Sequence, residues 1–421
     1  RQFKGLVIHK LWVDINFKEI KEMTAFKGIG ARLFSAAAAL AAAIICMSGV
    51  TGVSAQTNEE KRRDESRAAF RAKSVMLTES ATGQVLYSQN PDQKLPIASV
   101  TKIMTLLIAA EEMKAGRLSF DDIVVASYHA FSMDGSVIWL NEGEEMSVYD
   151  ICRSVVISSA NDACVALGEH IAGSEEEFVK RMNKRASELD MTNTHFVNCT
   201  GLDADNHFSS ASDVAKMAAE LRKYDYYDEF LMTRLTYVRE GTSRETQLLN
   251  TNRLLGYDGI TGLKTGTTDN AGYCFTATAK RGDMELVAVV LGAETDDGRF
   301  EIAEALLDYG FNGFELFSPE FDPEELTDIN VDEGVLRTVS VCAESGLCCL
   351  IPKGKSSSVS YLYNIKPTVK APVASGDSVG KIIVLLDDDT LFIAKVTAKE
   401  SSEKLTFFKS FEFVWKGLFD F

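Results

Sequence analysis

The sequence predicts an α+β protein, in which an antiparallel sheet with helices and a helical subdomain is followed by a small β-sandwich domain. Apolar residues recur at helical spacing through much of the first half of the chain, β-prone segments follow Gly259, and short strand-like segments follow Pro323. The chain has 421 residues, which is long for one domain and fits two folded domains with further terminal segments.

The predicted first domain, residues 74–318, opens with two short β-prone segments. Residues 75–77 and 84–87 flank Ala81-Thr82-Gly83, so we expect a β-hairpin with a glycine turn. A helix then begins at Ser99, because apolar residues follow it at helical spacing. These residues are Ile103, Leu106, Leu107 and Ala110.

Two pairs of a serine followed three residues later by an acidic residue predict further helix N-termini. The pairs are Ser147 with Asp150 and Ser174 with Glu177. Between them, Ser158-Ser159-Ala160-Asn161 interrupts the helical pattern, which then resumes to about residue 171. We therefore expect Ser159 and Asn161 to lie in a loop between two helices.

The chain becomes β-prone after Gly259, with predicted strands at 263–267, 273–279 and 285–291. Residues 280–283 read Lys-Arg-Gly-Asp. We interpret them as a hairpin turn rather than an adhesion motif, because turns favour Gly and Asp for backbone reasons. A predicted helix at 298–310 closes the domain.

Prolines at positions 319 and 323 mark a domain boundary. Short strand-like segments separated by turn residues follow, which predicts a β-sandwich domain over residues 325–400. The segments are 335–341, 349–351, 359–363, 381–386 and 391–397.

The N-terminal part carries a targeting signal. Lys27 and Arg32 precede an alanine-rich apolar segment at 33–50, and the small residues Val53-Ser54-Ala55 follow it. This pattern predicts a secretory signal peptide over 23–55, and the alternative is a membrane-spanning helix at the short limit for a span. We expect residues 1–22 to be an over-extended N-terminus, residues 56–73 to be a charged linker, and the protein to act at the extracytoplasmic face of the cytoplasmic membrane or in the cell wall.

The last segment, residues 403–421, predicts an amphipathic helix with aromatic and aliphatic residues on one face. Aromatic side chains interspersed with lysines suit a helix that lies in a membrane interface, so we expect membrane association. The alternative is a terminal helix or strand packed on the sandwich. The apolar residues are Phe407, Phe408, Phe411, Val414, Trp415, Leu418 and Phe419.

Composition excludes several classes of function. The formal net charge is −17, and an acidic surface repels phosphate backbones, so we expect no nucleic-acid partner. The sequence has no metal-binding motif and no glycine-rich phosphate loop, so we expect neither a metal nor another cofactor. The cysteines beyond Cys46 are irregularly spaced, and free buried thiols are at least as consistent with them as disulfides.

The candidate chemistry begins with Ser99 and Lys102. A serine hydroxyl is a weak nucleophile until a base takes its proton, and residues three apart on a helix share a face. Lys102 is therefore the candidate base, which requires a pKa lowered by burial or by a neighbouring positive charge. The spacing alone is not specific, because Ser378 with Lys381 and Ser401 with Lys404 repeat it.

The order of the motif residues along the chain and their expected secondary structure make the combination specific. Ser99 begins a helix, Ser159 and Asn161 lie in a loop, and Lys264-Thr265-Gly266 lies on a strand and occurs once. With this combination the chain resembles the low-molecular-mass penicillin-binding proteins, the serine-type D-alanyl-D-alanine carboxypeptidases of peptidase family S11. The segments that carry the resemblance are 97–102, 159–163, 193–198, 201–205 and 262–266.

The resemblance implies a role for each motif residue. Ser99 would be acylated by a peptidoglycan pentapeptide or by a β-lactam inhibitor, and Lys102 would be its base. Ser159 and Asn161 would pass protons and hold the substrate amide. The backbone N–H groups of Ser99 and Thr267 would form the oxyanion hole.

The substrate carboxylate would be held on the strand and beyond it. The resemblance implies that Lys264 supplies positive charge and that Thr265 binds the carboxylate, with Gly266 and Thr267 completing the segment. Arg299 falls where the family has an arginine that favours a free carboxylate, which implies carboxypeptidase rather than transpeptidase activity.

The sequence departs from the family pattern at two positions. Ala160 stands where Gly is frequent, and Cys199 stands where Pro is frequent. Neither change removes a functional group. A serine β-lactamase-like hydrolase and a non-catalytic cell-wall-binding scaffold are the alternative functions.

Overall fold

The structure is a computed structural model that describes residues 70–419. The predicted signal peptide at 23–55, the segment 1–22 and residues 56–69 of the predicted linker lie outside the described residues. The linker prediction extends too far at its C-terminal end, because the first strand already begins at Ala72, which pairs with Ala293.

The first part of the described chain contains nine strands and eight α-helices between residues 72 and 313, and a short 3₁₀-helix at Ala98–Thr101. In chain order they are β1 (Ala72–Glu79), β2 (Val85–Gln89), α1 (Lys102–Lys114), β3 (Ile123–Val125), α2 (Tyr128–Phe131), β4 (Glu145–Ser147), α3 (Val148–Ile157), α4 (Asn161–Ala172), α5 (Glu175–Glu188), α6 (Ala211–Leu221), α7 (Asp228–Met232), β5 (Leu235–Val238), β6 (Thr246–Leu249), β7 (Ile260–Thr268), β8 (Gly272–Arg281), β9 (Met284–Ala293) and α8 (Asp296–Gly313).

A five-stranded antiparallel sheet forms the centre of this domain, in the order β2-β1-β9-β8-β7. Both faces are covered. Alternate residues of β9 enter two different cores: Val287 and Val289 pack with the helices α1 and α6, whereas Ala288 and Val290 pack with α8. Burial on both faces explains why β9 reads as a continuous apolar segment.

The predicted helix starts agree with the structure. The Ser147 hydroxyl accepts a hydrogen bond of 3.1 Å from the Asp150 N–H, and the Ser174 hydroxyl accepts one of 3.2 Å from the Glu177 N–H. Ser99 lies in the 3₁₀-helix that leads directly into α1. The sequence did not predict α6, α7 or the short paired strands β3, β4, β5 and β6.

The second part is built from short strands and confirms the predicted β domain. Its elements are β10 (Phe314–Phe317), β11 (Ile329–Asp332), β12 (Thr338–Val339), β13 (Val341–Ala343), β14 (Cys349–Pro352), β15 (Val359–Ile365), β16 (Thr368–Lys370), β17 (Ser378–Leu386) and β18 (Asp389–Ala398). The sheets β12-β11-β16 and β13-β18-β17-β15 share one hydrophobic core. The fold class predicted from the sequence is therefore confirmed.

The terminal helix α9 covers Phe407–Phe419 and begins later than the predicted residue 403. Residues 402–404 are bridged to the β domain instead, and the Leu405 N–H donates to the Glu333 carbonyl at 2.7 Å, so the backbone there cannot be helical. Among residues 70–419, no helix combines the length and the apolar composition that a membrane span requires.

Two isoleucines on neighbouring strands test the core of the β domain. Ile382 on β17 is 0% exposed and Ile393 on β18 is 50% exposed. We expect Ile382→Ala to lower the free energy of unfolding by about 2–5 kcal/mol, because it leaves a cavity in the shared core. Ile393→Ala should change it by less than about 0.5 kcal/mol. Urea unfolding followed by circular dichroism measures both, and equal effects would contradict the two-sheet core.

Candidate active site

Ser99 and Lys102 meet where the 3₁₀-helix passes into α1. Lys102 Nζ donates to Ser99 Oγ at 2.9 Å, as the three-residue spacing predicts. The Lys102 side chain is 0% exposed, and burial lowers its pKa below the usual 10.5. Desolvation therefore shifts the pKa of Lys102 in the direction that a general base requires.

Two further oxygens surround Lys102 Nζ. Asn161 Oδ1 and the Thr200 carbonyl oxygen each lie 2.7 Å from it. Together with Ser99 Oγ, they provide one acceptor for each proton of an ammonium group. These acceptors favour the charged lysine while burial opposes it, so the group can gain or lose a proton without leaving its position.

Asn161 is held by the chain that precedes α3. Its N–H donates to the Ser136 carbonyl at 2.6 Å, and its side-chain Nδ2 donates to the Asp134 carbonyl at 2.7 Å. With Nδ2 engaged in this way, Oδ1 points to Lys102. Asn161 therefore links the start of α4 to the Ser99–Lys102 pair.

Ser159 lies in the loop before Asn161 with φ of 63°, a left-handed conformation that non-glycine residues seldom adopt. Its hydroxyl is buried and has no hydrogen-bond partner among residues 70–419. Ala160, where the family often has Gly, has φ of −58°, which any residue can adopt. The departure at this position therefore does not strain the loop.

The Thr200 carbonyl is positioned by a turn. Asn198 Oδ1 accepts from the N–H groups of Thr200 at 3.2 Å and Gly201 at 2.7 Å. Gly201 has φ of 87°, and a Cβ atom there would lie 1.8 Å from the Ala98 carbonyl oxygen. Only glycine allows the turn to approach the 3₁₀-helix this closely.

Cys199 lies in the same turn, and its N–H donates to Glu175 Oε1 at 2.9 Å. A proline at this position has no N–H to donate. The Cys199 and Cys164 sulfur atoms lie 3.9 Å apart, and all seven cysteines between residues 70 and 419 are free thiols.

Strand β7 brings Lys264, Thr265 and Gly266 to the other side of Ser99. A Cβ atom at Gly266 would lie 2.8 Å from the Ser99 backbone nitrogen, so glycine lets the strand pass beside Ser99. The Thr265 hydroxyl donates to the Thr251 hydroxyl at 2.7 Å.

The Lys264 side chain is buried, and its Nζ donates to the Thr265 carbonyl at 3.0 Å. Burial lowers the pKa of Lys264 well below 10.5, and the positive charges of Lys102 and Arg299 lower it further. A negatively charged ligand beside these groups would relieve their mutual repulsion.

Arg299, in the first turn of α8, supports β7 from behind. Its Nη1 donates to the Gly266 carbonyl at 3.1 Å, the Thr267 hydroxyl at 3.0 Å and the Cys274 carbonyl at 3.1 Å. Its Nη2 is paired with Asp296. The Thr267 side chain is exposed, so Arg299 orients a hydroxyl that faces outward.

One buried histidine supports the 3₁₀-helix. His207 Nε2 lies 2.8 Å from the Thr101 hydroxyl, and its Nδ1 accepts from the Val197 N–H at 3.1 Å. With Nδ1 as acceptor, the neutral ring carries its proton on Nε2 and donates to Thr101. Burial, together with the nearby His195, lowers the pKa of His207 to about 4.

Comparison with known proteins identifies the family. The D-alanyl-D-alanine carboxypeptidase family matches residues 59–295, and the penicillin-binding protein 5 C-terminal domain matches residues 314–404. D-alanyl-D-alanine carboxypeptidase DacF of Bacillus subtilis is 41% identical over 344 residues, 81% of this chain and 88% of DacF. The chain belongs to the D-alanyl-D-alanine carboxypeptidase family.

Further relatives agree with this carboxypeptidase assignment. D-alanyl-D-alanine carboxypeptidase DacC of Escherichia coli is 35% identical over 346 residues, 80% of this chain and 86% of DacC. The crystal structure of penicillin-binding protein 5 from Haemophilus influenzae superposes with a TM-score of 0.72 at 31% identity, covering 80% of this chain and 98% of that chain. The resemblance seen in the sequence is confirmed, and covalent penicillin binding is typical of the family.

The sequence missed several residues of this carboxypeptidase site. The Thr200 carbonyl is a backbone atom and has no residue-type signal. Asn198 followed by Gly201 was a recognisable turn signal. The contact of His207 with Thr101 joins residues 106 positions apart, so local sequence patterns do not reveal it.

The buried imidazole predicts a pH dependence of stability in this carboxypeptidase. Below pH 6.5 the unfolded chain takes up a proton on His207 that the folded chain does not bind until about pH 4. Stability from the buried neutral ring is therefore present above pH 6.5 and lost as pH falls toward 4, by about 3 kcal/mol in total.

We expect His207→Gln to remove about 3 kcal/mol from the difference in unfolding free energy between pH 7 and pH 4, measured by chemical denaturation at each pH. His170→Gln, at an exposed position on α4, is the control and should keep the wild-type dependence. A His207→Gln protein with the wild-type pH dependence would contradict the assignment.

Proposed function

We propose that this protein removes the terminal D-alanine from peptidoglycan pentapeptides through an acyl-enzyme on Ser99. The contact between Lys102 Nζ and Ser99 Oγ at 2.9 Å carries the proposal, because it joins a nucleophile directly to a base whose pKa burial has lowered.

In the acylation step, neutral Lys102 takes the Ser99 hydroxyl proton as Oγ attacks the carbonyl carbon between the two D-alanines. The peptide C–N bond breaks, and the departing D-alanine amine receives a proton. Water then attacks the ester, releases the shortened peptide and restores the Ser99 hydroxyl. In both steps Lys102 would exchange protons while held by Asn161 and Thr200.

Ser159 is proposed to pass the proton to the leaving amine. Its buried hydroxyl has no partner in the part of the chain that the structure describes, which leaves it available to bond with a bound substrate. The left-handed backbone at Ser159 supports this role, because such strain clusters at functional sites. Asn161 would hold the substrate amide beside it.

The terminal carboxylate is proposed to bind along β7. Lys264 would provide positive charge, Thr265 and Thr267 would provide hydroxyl donors, and Arg299 would orient the Thr267 hydroxyl. The backbone N–H groups of Ser99 and Thr267 would stabilise the oxyanion, and Gly266 would permit their approach.

β-Lactam antibiotics are proposed to acylate the same Ser99 and to act as inhibitors.

Two alternative functions are a β-lactamase-like hydrolase and a non-catalytic scaffold. The complete set of Ser99, Lys102 and Asn161 contacts favours an enzyme over a scaffold. Release of D-alanine together with a long-lived penicillin adduct would favour the carboxypeptidase over the hydrolase.

Replacing Ser99 with Ala is the direct test. We expect Ser99→Ala to lower kcat for D-alanine release by about 10⁴-fold or more and to abolish the penicillin adduct in mass spectrometry. Ser378→Ala is a matched control, because Ser378 precedes Lys381 at the same spacing but lies on β17. Residual labelling of the Ser99→Ala protein would exclude Ser99 as the nucleophile.

The terminal helix α9 is proposed to associate with the outer surface of the cytoplasmic membrane, and the protein to act outside the cytoplasm. Phe407, Phe408 and Phe411 are 79%, 82% and 57% exposed. Large aromatic side chains exposed together indicate an interaction surface, and a helix with aromatic and lysine residues suits a membrane interface.

We expect the triple variant Phe407→Ser, Phe408→Ser and Phe411→Ser to bind phosphatidylethanolamine–phosphatidylglycerol vesicles at least 100-fold more weakly, because each buried Phe contributes about 1.5–3 kcal/mol. Phe131→Ser, at a 47% exposed position on α2, should bind as the wild type does. Vesicle co-sedimentation measures both, and undiminished binding of the triple variant would exclude α9 as the anchor.

A further inference from the structure

Trp139 is an exposed tryptophan beside the proposed active site. It is 67% exposed, although tryptophan is usually well covered in folded proteins. Its φ is 55°, a left-handed conformation that a bulky side chain rarely adopts. Such a conformation persists only where the surrounding structure enforces it, and it clusters at functional sites.

Asp162 fixes this segment from the side of the active site. Its carboxylate accepts from the Ile138 N–H and the Leu140 N–H, each at 3.0 Å. Asp162 directly follows Asn161, whose side chain contacts Lys102. The backbone on both sides of Trp139 is therefore attached to the same turn of α4 that positions the proposed base.

Two arginines fix the same segment from the β5–β6 hairpin region. Arg239 Nη1 donates to the Ile138 carbonyl at 2.8 Å, and Arg244 donates to the Trp139 carbonyl. The backbone polar groups around Trp139 are thus engaged within the protein, and the indole ring is left facing solvent. The fixed backbone determines where the indole projects from the surface, which lowers the entropy lost when it binds a ligand.

A surface cavity of about 510 Å³ lies beside the ring, lined by Trp139, Arg239, Arg244, Thr246 and Gln247 among others. The charges at this cavity are balanced. Arg239 and Arg244 each pair with Glu144 at 2.5 Å, and Glu245 adds a second carboxylate to the lining.

This charge balance disfavours both anionic and cationic ligands. A peptide carboxylate would compete with Glu144 for both guanidinium groups, and an ammonium group would face two arginines. Gln247 contributes an uncharged amide to the lining of this cavity. The Thr246 hydroxyl already accepts from Arg239 and donates to the Arg244 carbonyl. An aromatic wall with a few polar groups suits a neutral ligand that has both an apolar face and amide or hydroxyl groups.

The path from Asn161, which contacts Lys102, through Ser136 to Trp139 is short compared with the proposed substrate. The Ser136 carbonyl contacts the Asn161 N–H, and Trp139 lies three residues further, at most about 11 Å along the chain. Four peptide residues separate the scissile bond from the sugar, which is about 14 Å when extended. The extended peptide is thus longer than this stretch of chain, which makes a sugar at its far end a candidate occupant of the cavity.

Resting on the proposed function, we propose that Trp139 and this cavity bind a neutral N-acetylhexosamine ring of the glycan that carries the stem peptide. The indole face packs against the C–H face of the ring, and the Gln247 amide bonds with its N-acetyl group. Substrates that retain the sugar are thereby bound in preference to free peptides.

The test compares two substrates that share one scissile bond, the free pentapeptide and the N-acetylglucosaminyl-N-acetylmuramyl pentapeptide. For Trp139→Ala we expect KM for the sugar-bearing substrate to rise about 10-fold with kcat retained. The ratio of kcat/KM between the two substrates falls by the same factor. Trp139→Phe should keep most of the preference, and Tyr309→Ala, at a 49% exposed aromatic position on α8, should leave it unchanged.

Equal losses on both substrates would overturn the proposal, because Trp139 would then act on the peptide or on the fold. An unchanged ratio would overturn it as well. Calorimetric titration with the peptide-free disaccharide provides a readout independent of turnover, and Trp139→Ala should abolish that binding. Wild-type failure to release D-alanine from the free pentapeptide would instead contradict the proposed function and leave the disaccharide titration interpretable.

Discussion

The rest of the site depends on the hydrogen bonds that the buried Lys102 nitrogen makes. Removing an ammonium group from water is unfavourable, and the structure offsets this with three oxygen acceptors at 2.7–2.9 Å. Each acceptor comes from a different part of the chain: the 3₁₀-helix, the start of α4 and the turn at Thr200. A displacement of any one of them would leave one proton of the ammonium group without an acceptor.

The second buried lysine extends the same argument to substrate binding. Lys264 lies where burial and the charges of Lys102 and Arg299 all disfavour its ammonium form. A bound carboxylate would raise the pKa of Lys264 again, because an opposite charge favours the ammonium form. The site is therefore complementary to an anion, even though the whole chain has a formal net charge of −17.

The sequence predicted what depends on local patterns and missed what depends on tertiary approach. Helix starts at Ser147 and Ser174 were predictable, because a cap is formed between residues three apart. The spacing of Ser99 and Lys102 was ambiguous, because the same three-residue spacing also occurs outside helices. Ser378 and Lys381 share it, but on extended β17 residues three apart are separated by about 10 Å along the strand. Trp139 carried no signal, because its exposure follows from bonds to Asp162 and Arg244, which are distant in sequence.

Left-handed backbone surrounds the site, at Ala98 before the nucleophile, at Ser159 and at Trp139. Each such residue costs on the order of 1–3 kcal/mol, so the fold must hold it in place by other means. Ala98 is buried against the Gly201 turn, and Trp139 lies between backbone bonds to Asp162 and Arg239. Asn161 and Asp162 occupy consecutive positions at the start of α4, one contacting the proposed base and the other the segment around Trp139. The same helix start therefore fixes both the reacting groups and the surface proposed to receive the far end of the substrate.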